Sequence, residues 1–190
     1  GKPTRYQIVP IDNHHAPIEL TEASSGIQTS APLALIVDYF AKEFSFKDAF
    51  RRSVMDYLYE EENIQKFNSV VEPTALTKVV DIHIEEPELS LFPDAQCKLV
   101  ENLIFTATHS KDDRLVTLML ATHSPYILNY LNIMLNQTDE QRARLNNSNT
   151  AVYRIYEGET QDLLMQDDKG HWIVDTYDLS EMMSSIYNEF

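Results

Sequence analysis

Three observations predict an α/β fold with a parallel sheet. Lys78 to Glu85 (KVVDIHIE) is rich in β-branched residues, the composition of a strand. Leu115 to Thr122 (LVTLMLAT) is almost continuously apolar, the pattern of a strand buried on both faces. Each run is followed by a helical segment: Asp94 to Thr108, with Leu99, Leu103 and Ile104 as its stripe, and a second opened by Pro125. Strand, helix, strand, helix is the order that builds parallel pairs through crossover helices.

The remaining elements follow along the chain. Tyr6 to Pro10 (YQIVP) reads as a short strand, and Asp12 to Ser30 as a loop of turn and cap residues ending in a helix start. Leu33, Ile36, Val37, Phe40 and Phe44 share one face, which predicts a helix over Ile27 to Phe44. A second helical pattern, Phe46 to Phe67, includes Phe50, Val54, Tyr57, Leu58 and Ile64. Its acidic run Glu60-Glu61-Glu62 reads as a solvated face. Pro87 and Pro93 break the chain after the first buried strand. The helix from Pro125 to about Asn136 starts where a missing N–H costs little. Asn146 to Asn149 is a polar loop. Ala151 to Tyr156, Asp162 to Gln166 and Trp172 to Val174 predict short antiparallel strands, with turns at Gly158 and Gly170. Leu179 to Phe190 closes as a helix.

The chain has 190 residues, 43% hydrophobic and 24% charged, the make-up of one domain or a large piece of one. Thirty acidic residues against 15 basic give a formal charge of -15. A field of that sign does not favour docking on nucleic-acid phosphates or anionic membranes. No run of 18 apolar residues is present, so no membrane span is expected. Cys97 is the only cysteine, which excludes an internal disulfide and suits a reducing cytoplasmic setting. There are four glycines, Gly1, Gly26, Gly158 and Gly170. Neither a Gly-x-x-x-x-Gly-Lys-[Ser/Thr] phosphate loop nor a Gly-x-Gly-x-x-Gly fingerprint can be written with them. The opening Gly-Lys-Pro without Met reads as the scar of a cleaved tag or as a natural processed end. We expect the former, which would make the sequence a fragment.

Three segments could carry chemistry. In Ile82-His83-Ile84-Glu85-Glu86-Pro87-Glu88 an apolar strand ends in adjacent carboxylates, at the end where α/β proteins bind ligands. One carboxylate there could hold a magnesium ion, which takes oxygen ligands and keeps several waters. The other could orient and polarise an attacking water. Acidic residues before a proline turn are also simply common. Thr122-His123-Ser124-Pro125 follows the next strand, where a histidine could touch a phosphate and Ser124 could cap a helix. Glu22-Ala23-Ser24-Ser25-Gly26-Ile27-Gln28 opens a helix, combining hydroxyls, a small glycine and free N–H groups, which is either an anion site or an ordinary cap.

Taken together and in this order, the three segments resemble the second half of an ABC-type ATPase domain. The resemblance is nearest to the overcoming-lysogenization-defect-like branch related to RecF and SMC heads. Ser24-Ser25-Gly26 is similar to the signature motif, and the strand ending in Glu-Glu-Pro-Glu to the Walker B strand. Leu89 to Gln96 (LSLFPDAQ) resembles the D-loop, and Thr122 to Pro125 the switch-histidine segment. The resemblance spans roughly residues 18 to 137, with the tail from Tyr153 to Phe190 less closely similar. It implies the C-terminal part of a P-loop NTPase of ABC type: parallel strands flanked by helices and a small antiparallel C-terminal hairpin.

The resemblance also implies roles. Glu85 would support Mg2+, Glu86 would be the catalytic carboxylate, and His123 would contact the γ-phosphate of ATP. Ser24, Ser25 and Gly26 would press on ATP held by a second copy of the chain. The expected partners are that second copy, the missing N-terminal part of the same domain with its Walker A loop, and an effector protein. Nucleic acid would enter only indirectly, in defence or DNA maintenance. The stretch between Gly26 and Glu85 is longer than in transporters, which implies a helical insertion at 46–72. The rival expectation is a non-catalytic protein-interaction module with relic ATPase motifs, whose acidic, tyrosine-rich insert binds a partner protein.

The other histidines carry less. His14-His15 lies in a loop without nearby cysteine, and His83 points away from Ile82 and Ile84. His109 and His171 lack partner spacing. Cys97 reads as a small packed hydrophobe.

Overall fold

The computed structural model describes residues 5–11, 16–60, 78–137 and 145–188. It is a mixed α/β protein, with four two-stranded sheets among the described residues. The first pairs β1 (Gln7–Ile8) with β2 (Ile18–Glu19) antiparallel. A strand therefore lies inside the segment expected to be loop; two residues are too few to show a period of two.

A short 3-10 turn, Leu20–Glu22, leads to α1 (Ser25–Asp38), which begins two residues earlier than its apolar stripe suggests. Ser24 is the N-cap, its Oγ accepting from the Ile27 N–H at 3.4 Å. α1 runs into a π-helical turn, Tyr39–Glu43, so that the expected single helix changes geometry before Phe44. α2 (Phe46–Glu60) begins where the insertion was expected. Phe50 is half-buried there. The Tyr57 and Tyr59 side chains, Phe67 and the rest of the predicted insertion lie outside the described residues.

β3 (Val79–Glu85) and β4 (Leu115–Ala121) form the predicted parallel pair, in register from Val79 opposite Leu115 to Glu85 opposite Ala121. α3 (Pro93–Thr108) is the crossover between them, and α4 (Pro125–Leu135) follows β4. One sheet face makes the core. Val80, Ile82 and Ile84 pack with Val37 of α1 and with Leu99 and Leu103 of α3. Leu118 and Leu120 extend that face toward Val100, Ile104, Ile127 and Met134.

The opposite face corrects the expectation of a strand buried on both sides. Leu115 and Met119 are 57% and 55% exposed, and Val79 beside them is 46% exposed. α1, α3 and α4 all pack on the other face. Among the described residues nothing covers this one, although Leu115, Met119 and Ala121 of β4 on it are apolar; Thr117 between them donates to Asp81. On β3 the strict alternation puts Asp81, His83 and Glu85 on the open face, as expected for His83.

The C-terminal part has two hairpins rather than one, β5 (Tyr153–Tyr156) with β6 (Glu159–Asp162) and β7 (Leu164–Gln166) with β8 (Trp172–Val174). The predicted strand Asp162 to Gln166 is divided at Leu163. Leu163 is buried with Val152 and Val174 against Leu128, Leu131 and Leu135 of α4. Its N–H donates to the Val152 carbonyl, and its own carbonyl accepts from Asp175, so it joins the hairpins without belonging to either. Gly158 and Gly170 both take positive φ in turns, as their placement predicted. α5 (Tyr177–Asn188) closes the chain. No helix among the described residues is long and apolar enough to cross a membrane.

Candidate functional site

The parallel register brings two of the three predicted segments to one sheet edge. Glu85 ends β3 opposite Ala121, the last residue of β4, so Glu86 and Thr122 leave the sheet side by side. The Glu86 N–H still donates to the Ala121 carbonyl at 2.8 Å, extending the ladder by one bond. Glu85 and Glu86 are exposed, and among the described residues neither carboxylate accepts a hydrogen bond. Glu86 has φ +47, a left-handed conformation uncommon for a non-glycine residue. Such positions collect at functional sites, where surrounding structure holds the strain.

The turn after Glu86 is built tightly. Pro87 is fully buried. The Leu89 N–H donates to the Glu86 carbonyl and the Leu91 N–H to the Glu88 carbonyl, both at 3.0 Å. Ser90 is a second left-handed residue, with φ +60.

The third segment meets this turn through Gly26. A Cβ on Gly26 would lie 2.6 Å from the Ser90 carbonyl oxygen and 2.8 Å from Leu91 Cδ2. The close approach that glycine permits is therefore used by the chain's own turn. Gly26 is buried, whereas Ser24 and Ser25 are exposed. Ser24 Oγ is engaged as an acceptor by its cap, which leaves its hydroxyl hydrogen to donate. The side chain of Gln28 is spent locally, donating to the carbonyls of Thr21 and Ala23.

His123 is exposed, and its neighbour Ser124 is 5% exposed. Ser124 is the N-cap of α4: its Oγ accepts from the Ile127 N–H at 3.3 Å and donates to Gln96 Oε1 at 2.6 Å. Two residues given no role by the sequence patterns, Glu88 and Gln96, organise the edge. Glu88 accepts from Thr122 Oγ1 and from the His123 N–H, each at 2.8 Å. Gln96 joins Ser124 to the Leu91 carbonyl, to which its Nε2 donates at 2.9 Å. A carboxylate and an amide near a proline turn were the available signals, but their partners after β4 lie 28 and more residues away along the chain.

The donor set suits a hard divalent cation. No group of three or more His, Cys, Asp or Glu able to cage a metal occurs among the described residues. Magnesium does not require one, because it is held by one or two carboxylates and retains waters. Exposed Glu85 and Glu86 fit that demand. Cys97, on α3, takes no part. Cys97 is half-buried, and burial, with Asp94 adding, pushes its thiol pKa up.

No protein-family model, curated protein or solved structure matches this chain.

Proposed function

We propose that this chain is the C-terminal part of an ABC-type ATPase domain, and that the whole protein binds Mg-ATP between two copies and hydrolyses it. The observation that carries the reading is one sheet edge. Paired carboxylates after one parallel strand lie beside a histidine after the next, and the serine-glycine start of α1 packs on the intervening turn.

Each residue then has a task its chemistry can perform. Glu85 would hold the magnesium ion through a carboxylate oxygen. Magnesium, when bound, supplies positive charge against phosphate oxygens. Glu86 would accept a hydrogen bond from water and orient it for attack. His123 would donate a ring N–H to a terminal phosphate oxygen. Ser24 and Ser25 would donate hydroxyl hydrogens, with the first N–H groups of α1, to the phosphate held by the second copy. The cradle for the remaining phosphates would come from a Gly-x-x-x-x-Gly-Lys-[Ser/Thr] loop, which these 190 residues do not contain.

The test is calorimetry with ATP and magnesium on this chain and on the whole protein. The chain alone should bind weakly, since each missing charge-assisted contact removes about 1.5–3 kcal/mol. The whole protein should bind and turn over ATP. Micromolar binding by the chain alone, or none by the whole protein, would overturn the proposal.

A further inference from the structure

The segment 122–124 has no regular secondary structure, so its backbone is set by whatever bonds it makes. Glu88 supplies two of them. Its Oε2 accepts from the Thr122 hydroxyl and its Oε1 from the His123 N–H, both at 2.8 Å. Thr122 Oγ1 in turn accepts from the Ser124 N–H at 3.0 Å. At the other end of the same turn, the Leu91 carbonyl reaches Ser124 through Gln96. All three residues after β4 are thus held from the Glu86–Leu91 turn.

We infer that Glu88 is a positioning residue: its carboxylate clamps the backbone of His123 to the turn that carries Glu86. Both oxygens are spent on this one segment, unlike those of Glu85 and Glu86, and bonds to an ionised acceptor are the strong ones. Glu86 and His123 then shift as one unit. Gly26 packs on Ser90 and Leu91 of that turn, so a displacement at the start of α1 reaches both. What His123 does with this placement, contacting a phosphate, rests on the ATPase reading; the clamp itself does not.

Amide hydrogen exchange by NMR on the 190-residue chain, without nucleotide, tests the clamp. Glu88→Ala should speed exchange at the His123 N–H by about 10–100-fold, the loss expected for one bond to a charged acceptor. The amides of Leu103 in α3 and Leu118 in β4 should keep their rates. Glu88→Gln retains an oxygen acceptor at the same reach and should restore most of the protection. Should Glu88→Ala fail to fold, Glu88→Asp carries the same test. It is one methylene too short to span both donors and should also expose the His123 amide. An unchanged His123 rate in the alanine or aspartate variant overturns the inference. So does acceleration of Leu103 and Leu118 as large as that of His123, which would make Glu88 a general strut. ATP plays no part in this measurement. Its failure would remove the clamp and leave the ATPase reading standing, whereas a whole protein without ATPase activity would do the reverse.

Discussion

Asp113 sits where the parallel pair begins, between Lys78 at 2.8 Å and Arg114 at 2.8 Å. The hydrogen bond from Arg114, then that from Lys78, lowers its carboxyl pKa to about 2. Arg114 is itself anchored, its Nη1 donating to the Phe40 carbonyl at 3.0 Å. A depressed carboxyl contributes stability above its unfolded pKa of about 3.9, lost as pH falls through the folded value. Asp113→Asn should therefore lower the urea midpoint at pH 7. Its difference from the wild type should shrink between about pH 4 and pH 2; parallel curves across that window would contradict the assignment. Ser124 is the second residue whose loss should register, because it caps α4 and satisfies Gln96 while buried. Ser124→Ala should cost about 1–2 kcal/mol in urea unfolding. A change below a few tenths would show the cap to be dispensable.

Among the elements, α1 makes the most specific claim. Alanine in place of glycine in a helix usually gains up to about 1 kcal/mol. At Gly26 the added Cβ would meet a backbone oxygen at 2.6 Å, which has no flexible end to swing aside. Overpacking of that kind costs about 1–3 kcal/mol, so the clash should win and Gly26→Ala should unfold at lower urea. A stabilised variant would show that the turn yields freely. The sequence made some elements plain and others not, for physical reasons. α3 was legible because Leu99, Leu103 and Ile104 repeat at helical spacing, and α4 because Pro125 opens it after an apolar strand. β3 was legible from its β-branched run. β4 misled because Leu115 and Met119 are apolar yet exposed, and composition does not reveal which face is covered. Glu85, Glu86 and His123 could be picked out at strand ends, since the parallel pairing follows from the element order. The work of Glu88 could not, because it depends on partners one crossover away.

At the scale of the molecule, one face of the β3–β4 pair is packed and the other is open among the described residues. Parallel strands are ordinarily covered on both sides, and here Leu115 and Met119 leave apolar side chains on the open one. The formal charge of -15 sets up a general field that repels nucleic-acid phosphates. On the proposed ATPase reading, closure of two copies and the chemistry within it would meet at Glu86. The most direct test is steady-state ATPase of the whole protein carrying Glu86→Gln, paired with size-exclusion chromatography in Mg-ATP. The amide keeps the shape and loses the charge that orients water, so the rate should fall about 10²–10⁴-fold. ATP binding should persist, and the variant should accumulate as an ATP-bound dimer. Hydrolysis at the wild-type rate would contradict the role of Glu86 and, with it, the reading of this sheet edge as an ATPase site.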